Sequence, residues 1–412
     1  MMRSVSMAVA AALLILVALP AVAGDDWPQF RGENRDGISP ETGLLDAWPE
    51  SGPKEVWRVP LGEGYSGVSV VGDRLYTMYA GKEGEKEVEF IAAFDAASGK
   101  EIWKTVVGDK LDTEFGNGPR STPTVDGDML FSVGSYGHVI AVAAKDGKEK
   151  WKVALKDLVG ADQPTWGYSG SIAIEDGIVF VEAGGKEGKS FVALKRSNGE
   201  MAWSIGDGRG QTGYNSPISV SMGGERRFVY IAGGKLRAVN AEGKEVWAYE
   251  WPRGETHASP LFIAPDRIFA SGVGEIGAKM IRVREDAEGL EVDDVWASRF
   301  MRNHFSSSVV HDGYIYGFDN ATLKCISLED GKMAWGKRGL GKGSMILADG
   351  HLMVLSDRGK LMLIEASPEG FKQKGGFQAL SDKDVNWTAP SLSKGRLYLR
   401  NHQEMVSFNV KG

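Results

Sequence analysis

An all-β fold, a closed eight-bladed β-propeller of four-stranded antiparallel blades, is what this sequence predicts, and three observations predict it. Gly-x3-Trp recurs five times, at Gly99/Trp103, Gly147/Trp151, Gly199/Trp203, Gly243/Trp247 and Gly331/Trp335, with Trp57 before the series and Trp296 inside it. Glycine supplies 55 of 412 residues without collagen-like periodicity, so it marks frequent tight turns. Short β-branched and aromatic runs alternate with Gly/Asp/Asn/Ser clusters, and no amphipathic helix pattern separates them. A period of this size means one supersecondary unit copied around an axis.

Ahead of the repeats, Arg3 supplies a positive start, Met7 to Leu19 an apolar run, and Ala21 and Ala23 the small residues a signal peptidase reads. Residues 1–23 are therefore expected to be a cleaved secretory signal, the run being too short for a membrane span. No cysteine follows for a lipid anchor. Residues 24–53 form an N-terminal extension. Its Trp27, Phe30 and Arg31 either pin it against the propeller or let it cover one mouth as a lid.

The propeller is expected over residues 54–412. In its first unit Ser66–Val70 reads as a strand, Gly72-Asp73 as a turn and Leu75–Tyr79 as a second strand. Phe90–Phe94 reads as a third, and Asp95–Gly99 turns the chain into a fourth at Glu101–Lys104. The glycine of each Gly-x3-Trp supplies the positive φ that a short hairpin needs. Counting by the residue before each first strand gives Tyr65, Arg120, Tyr168, Asn215, His257, Phe305, Gly343 and Trp387, a period of about 46 residues. The last unit supplies only three strands. Lys54–Val59 has fourth-strand character and precedes the first unit, so pairing the two chain ends closes the eighth blade and leaves no open edge. The repeated tryptophans then pack blade against blade.

Composition narrows the function classes. The formal net charge is −7, or −8 once Arg3 leaves with the signal, and the chain has no long basic cluster. Nucleic acid and anionic lipid are therefore excluded as expected partners. Cys325 is the only cysteine, which rules out an internal disulfide, a cysteine-rich zinc site and a covalent haem motif. Its apolar surroundings read as a buried strand position. His138, His304, His311, His351 and His402 lie on scattered units without metal-ligand spacing, which gives them surface or packing roles, with His304 nearest the mouth. No Gly-x-Ser-x-Gly elbow, P-loop or His-Glu-x-x-His motif occurs. No catalytic residue and no metal ligand is assigned.

The hairpin Ala93-Phe94-Asp95-Ala96-Ala97-Ser98-Gly99-Lys100-Glu101-Ile102-Trp103 resembles the repeat of the pyrroloquinoline quinone (PQQ)-type propellers, and lacks the Gly-His and Trp-Asp pairs of WD40 repeats. Asp26–Gly32 with Asn34–Ser39 is similar to the start of secreted PQQ-like repeat proteins. Gly116–Pro123 and Trp166–Gly170 resemble further stretches of that group. The likeness covers nearly all of the chain and is specific for fold. It implies either a quinoprotein dehydrogenase that holds PQQ with calcium and oxidises alcohols or sugars, or a non-catalytic scaffold of the BamB type, an envelope protein-assembly factor. The alcohol-oxidising family stacks PQQ on a disulfide between adjacent cysteines, which this chain cannot form. No position matches that family's calcium or base motif.

The expectation is therefore an exported, periplasmic or secreted, monomeric propeller that binds or scaffolds without catalysis and needs no cofactor. PQQ with calcium is the alternative. Its partner is an unknown protein or a small ligand. If the blades close, Tyr65, Arg120, Tyr168, Asn215, His257, Phe305 and Trp387 converge at the axial mouth as a candidate ligand site, with rings for stacking and Arg120 for an anion. Glu63, Glu114 and Glu255 lie just upstream and can add carboxylates. A plugged channel, with Arg120 paired to one of these glutamates, is the competing reading.

Overall fold

Eight sheets ring a central axis in the computed structural model, which describes residues 25–206, 214–286 and 289–412. The expected leader lies outside the described residues. Blade 1 contains Ser69–Val71, Arg74–Glu83, Lys86–Asp95 and Glu101–Asp109, in the simple order of an antiparallel meander. Blades 2 to 7 repeat that order, beginning at Thr124, Ala173, Ile218, Leu261, Val309 and Ser344.

Blade 8 joins Ser391–Ser393, Arg396–Arg400 and Glu404–Asn409 to Lys54–Pro60 from the other end of the chain. The antiparallel register runs from Lys54 opposite Asn409 to Pro60 opposite Glu404. Closure is as the sequence predicts. Buried Arg400 fastens the seam, donating to Met78 O of blade 1 at 2.6 Å and to Gly62 O, in the connection leading to that blade, at 2.9 Å.

The first strands begin later than expected, at Ser69 in place of Ser66. Residues 65–69 are extended, but their polar groups bond to the next blade. Tyr65 N donates to Pro119 O, Gly67 N to Thr122 Oγ1 and Ser69 Oγ to Pro123 O. The second to fourth strands run longer than read. Among the described residues a short α-helix, Leu155–Val159, follows blade 2 and a 3-10 turn, Gly274–Ile276, lies in blade 5, where the sequence predicts no helix.

Each outer-strand tryptophan docks on the following blade. Trp57, Trp151, Trp203, Trp296 and Trp335 donate their indole N–H to Ala96 O, Arg196 O, Ala241 O, Leu328 O and Ser367 O at 2.8–3.0 Å. The rings of Trp57, Trp103, Trp151, Trp203 and Trp296 lie against the glycine of that blade's turn, whereas Gly370, in the turn after Trp335, meets nothing within 4 Å. A Cβ built on Gly147 would stand 2.3 Å from Trp103, and one on Gly243 2.5 Å from Trp203. Glycine is thus required twice over, for positive φ and for close approach. Cys325 is fully buried in blade 6, where burial pushes its thiol up to about 11.

Candidate functional site

The narrow end of each blade meets the axis through a segment carrying a small hydroxyl residue. These hydroxyls link consecutive blades. Thr122 N donates to Ser171 Oγ at 3.0 Å, Ser171 N to Ser216 Oγ at 2.8 Å, and Ser259 N to Ser307 Oγ at 3.0 Å. Thr388 Oγ1 donates to Tyr65 O at 3.1 Å, across the seam. Small side chains leave room on the axis, and a cavity of about 780 Å3 fills it.

Residues 25–39 form the floor. Trp27 pairs with Val70 of blade 1, and Pro28 O accepts from Val125 N of blade 2. Fully buried Arg35 donates to Ser171 O and Ile172 O of blade 3 at 2.8 and 2.7 Å. Arg31 reaches Ser307 O and Ser308 O of blade 6, and Ile38–Ser39 adds a parallel strand to blade 7. Two guanidiniums, rich in donors and free of acceptors, thereby satisfy inward-facing carbonyls that have no partner in their own blades. Trp27, Phe30 and Arg31 line the cavity from below. The segment both pins itself to the blades and closes one mouth.

The other mouth is belted by rings. Neighbouring centroids are 5.8 Å apart for Phe115–Trp166, and 5.5 Å for both Trp166–Tyr214 and Tyr214–His257. The belt continues through His257–His304 at 5.3 Å, His304–Phe305 at 4.6 Å, Phe305–Trp387 at 4.5 Å and Trp387–Tyr65 at 5.5 Å. The Tyr65 hydroxyl closes the circuit by donating to Phe115 O at 2.7 Å. Burial raises that phenol to about 12, so it stays a donor at neutral pH.

Of the residues expected at the mouth, Tyr65, Arg120, His257, Phe305 and Trp387 line the cavity. Tyr168 and Asn215 do not. Tyr168 is buried between blades and donates to Ala183 O at 2.9 Å, and Asn215 is buried and donates to Ala258 O at 3.1 Å. Their neighbours Trp166 and Tyr214 take the places in the belt. The turn at Gly167, φ +74°, and Tyr214's own positive φ of 60° break the two-residue alternation by which sequence reasoning assigns a face. Phe115 and Lys342 were also missed. Phe115 is exposed in a loop with no repeat pattern, and Lys342 precedes Gly343, which offered no side chain to notice.

Charge at the mouth differs from expectation. Glu63 turns away to Lys110, 3.2 Å distant, and to Asn117, while Glu114 is exposed outside the cavity. Arg120 donates instead to neutral oxygens, Thr113 Oγ1 and Gly116 O at 3.1 Å each, and lies 5.1 Å over the Tyr65 ring. Burial lowers its pKa, though a guanidinium stays charged. Glu255 does line the cavity, with His257 Nε2 3.5 Å and His304 Nε2 3.9 Å from its Oε2. Burial, helped by Lys342, lowers both imidazoles, His304 to about 4, so both are neutral at pH 7. Lys342 Nζ lies 3.3 Å from His304 Nδ1. An ammonium only donates, so Nδ1 accepts and Nε2 carries the ring proton.

A propeller with a floored, ring-belted axial cavity is the class that fold and site define. Residues 87–337 match the PQQ-like repeat family described as outer membrane protein assembly factor BamB, and the chain belongs to that family. Curated relatives include the outer membrane protein assembly factor BamB of Bordetella pertussis, 27% identical over 301 residues, covering 70% of this chain and 69% of the relative. That of Yersinia pestis is 24% identical, covering 72% and 74%. Among solved structures, BamB from Moraxella catarrhalis superposes with a TM-score of 0.61 at 13% identity, covering 87% of this chain and 98% of that one. Quinohemoprotein alcohol dehydrogenase from Comamonas testosteroni gives 0.63 at 12% identity, covering 95% and 81%. At such identities the two structures share the fold alone.

Proposed function

We propose that this protein is a non-catalytic binding and scaffolding propeller of the cell envelope. The axial cavity takes a planar, anionic small molecule, and the rigid closed ring serves as an assembly surface for a protein partner. The observation that carries the ligand reading is the floored cavity belted by rings, with Arg120 and Lys342 supplying positive charge at its rim. Rings stack a planar body and the cations hold its acidic groups. The scaffold reading and the envelope address are supported by the relatives, whose name is that of an outer membrane assembly factor. They are also supported by the signal-like leader. Among the described residues no helix is long and apolar enough to cross a membrane.

Calcium-held PQQ is the cofactor that the resemblance to quinoprotein dehydrogenases implies, and the residues at this mouth do not fit it. Calcium takes six to eight oxygen ligands. Among the described residues the cluster of metal-ligating side chains at this mouth is one carboxylate and two imidazoles, a nitrogen-rich set that calcium disfavours. The single thiol is buried in a blade, unable to form the stacking disulfide.

The test uses 2-naphthalenesulfonate, a planar aromatic anion, titrated against purified protein in chelator. Stoichiometric binding with quenching of tryptophan emission is expected, weakened about tenfold or more in both Arg120→Ala and Trp387→Ala. Equal affinity in both variants would overturn the cavity as a ligand site. In a separate assay, protein mixed with PQQ and calcium is expected to give no alcohol- or sugar-dependent dye reduction. Robust turnover would replace the binding reading with a dehydrogenase.

A further inference from the structure

We infer that Glu255, His257 and His304 form a binding site for a divalent transition-metal ion of the zinc type, at the rim of the axial cavity. Glu255 and His257 stand two residues apart on the segment entering blade 5, and His304 comes from the segment entering blade 6. One ligand atom from each lies within 4.8 Å of the others. Oε2 to the two Nε2 atoms measures 3.5 and 3.9 Å. A tetrahedral ion with bonds near 2.0–2.1 Å needs ligand atoms about 3.3 Å apart. The two carboxylate–imidazole separations stand within about 0.6 Å of that spacing, and the two imidazoles, within 4.8 Å of each other, close the half-shell by side-chain rotation. The imidazole planes are 88° apart with centroids 5.3 Å from each other, so the rings meet edge to face and are not stacked.

Donor chemistry selects the ion. Two imidazoles and one carboxylate suit zinc, cobalt, nickel or copper, and disfavour calcium and magnesium. Three protein ligands leave a fourth position, and all three side chains line the cavity. This is the open pattern of ligand-accepting sites, as distinct from the closed four-ligand pattern of structural zinc. An ion there offers its free position to a carboxylate or similar anionic oxygen entering the cavity.

Lys342 sets a distinctive signature. With its ammonium on His304 Nδ1, the ring's proton sits on Nε2, the atom that must ligate. Metal binding requires the proton to move to Nδ1 and Lys342 to withdraw. Lys342 therefore competes with the ion, and its removal tightens binding.

The site stands on these three side chains and needs no organic ligand, so it survives failure of the cavity-ligand reading, which is tested in chelator. Chelator-treated protein titrated with cobalt(II) is expected to take one ion per chain, with visible d–d bands, and zinc is expected to displace it. His257→Ala, His304→Ala and Glu255→Gln are each expected to lose about tenfold or more in affinity, while Lys342→Met gains several-fold. His351→Ala, remote in blade 7, should change nothing. Thermal unfolding without metal checks that each variant folds, and Glu255→Gln, at a half-exposed carboxylate, keeps the test open should a histidine variant fail. No bands, or bands undiminished in Glu255→Gln and in a folded histidine variant, would overturn the site.

Discussion

Gly147 and Gly350 have the same backbone sign and different surroundings. Both sit at left-handed φ, +72° and +71°, but a Cβ on Gly147 would stand 2.3 Å from the Trp103 ring, whereas one on Gly350 meets nothing within 4 Å. Gly350→Ala is expected to cost about 1 kcal/mol, the conformational strain alone. Gly147→Ala adds overpacking against the Trp103 indole, for about 2–5 kcal/mol in all. Denaturant unfolding of the two variants measures the difference, and equal losses would mean that the ring gives way freely. The spacing of glycine and tryptophan within one repeat is visible in the sequence. The contact it serves is not, because each glycine packs on the tryptophan of the blade before. The mouth shows the same limit: the period brings Arg120 and Trp387 to the cavity, whereas Tyr168 and Asn215 turn away from it. A single left-handed residue beside each rotates the chain, and no pattern of apolar residues marks it.

At the scale of elements, the loops that carry the site depend on contacts from the strands beneath them. Asp319 ends the second strand of blade 6, Tyr314–Asp319, and accepts from Arg302 Nε at 2.6 Å, Arg302 Nη2 at 2.9 Å and Arg302 N at 3.0 Å, with Lys324 also bound. It thereby fixes the start of the segment that delivers His304 and Phe305. Burial pulls this carboxyl upward, but the hydrogen bonds from Arg302 and Lys324 outweigh it and hold it below its ordinary value. A depressed acid contributes stability that is present above its unfolded pKa and lost as pH falls through its folded one. Asp319→Asn is expected to cost about 1–3 kcal/mol at pH 7, since it leaves charged donors poorly matched. The gap to the unaltered protein should narrow below about pH 4, where the carboxyl of the unfolded chain begins to take up protons while the folded one still resists. A gap constant from pH 7 to pH 3 would show that shape, not charge, holds the loop.

At the scale of the whole molecule, closure and the floor are separate devices, and both come from the N-terminal sixty residues. Repeat counting made the ring legible, because a three-stranded last unit needs a fourth strand and only Lys54–Val59 had that character. The floor was legible only as two open readings, since Arg31 and Arg35 find their partners in blades 3 and 6, far along the chain. Two truncations separate the devices. A chain beginning at Lys54 loses the floor and keeps the complete eighth blade. It should elute in the same oligomeric state as the full chain, with a lower unfolding midpoint, because carbonyls such as Ser171 O and Ile172 O lose their buried guanidinium donors. A chain beginning at Leu61 also loses the strand paired with Glu404–Asn409, leaving a row of unpaired backbone groups on an apolar blade. That edge is a template for pairing with another copy, so self-association is expected on size-exclusion chromatography together with loss of a single cooperative transition. If both truncations elute in the full chain's oligomeric state with the same midpoint, the strand exchanged between the chain ends contributes nothing to holding the ring, and closure must rest on the hydroxyl contacts around the axis.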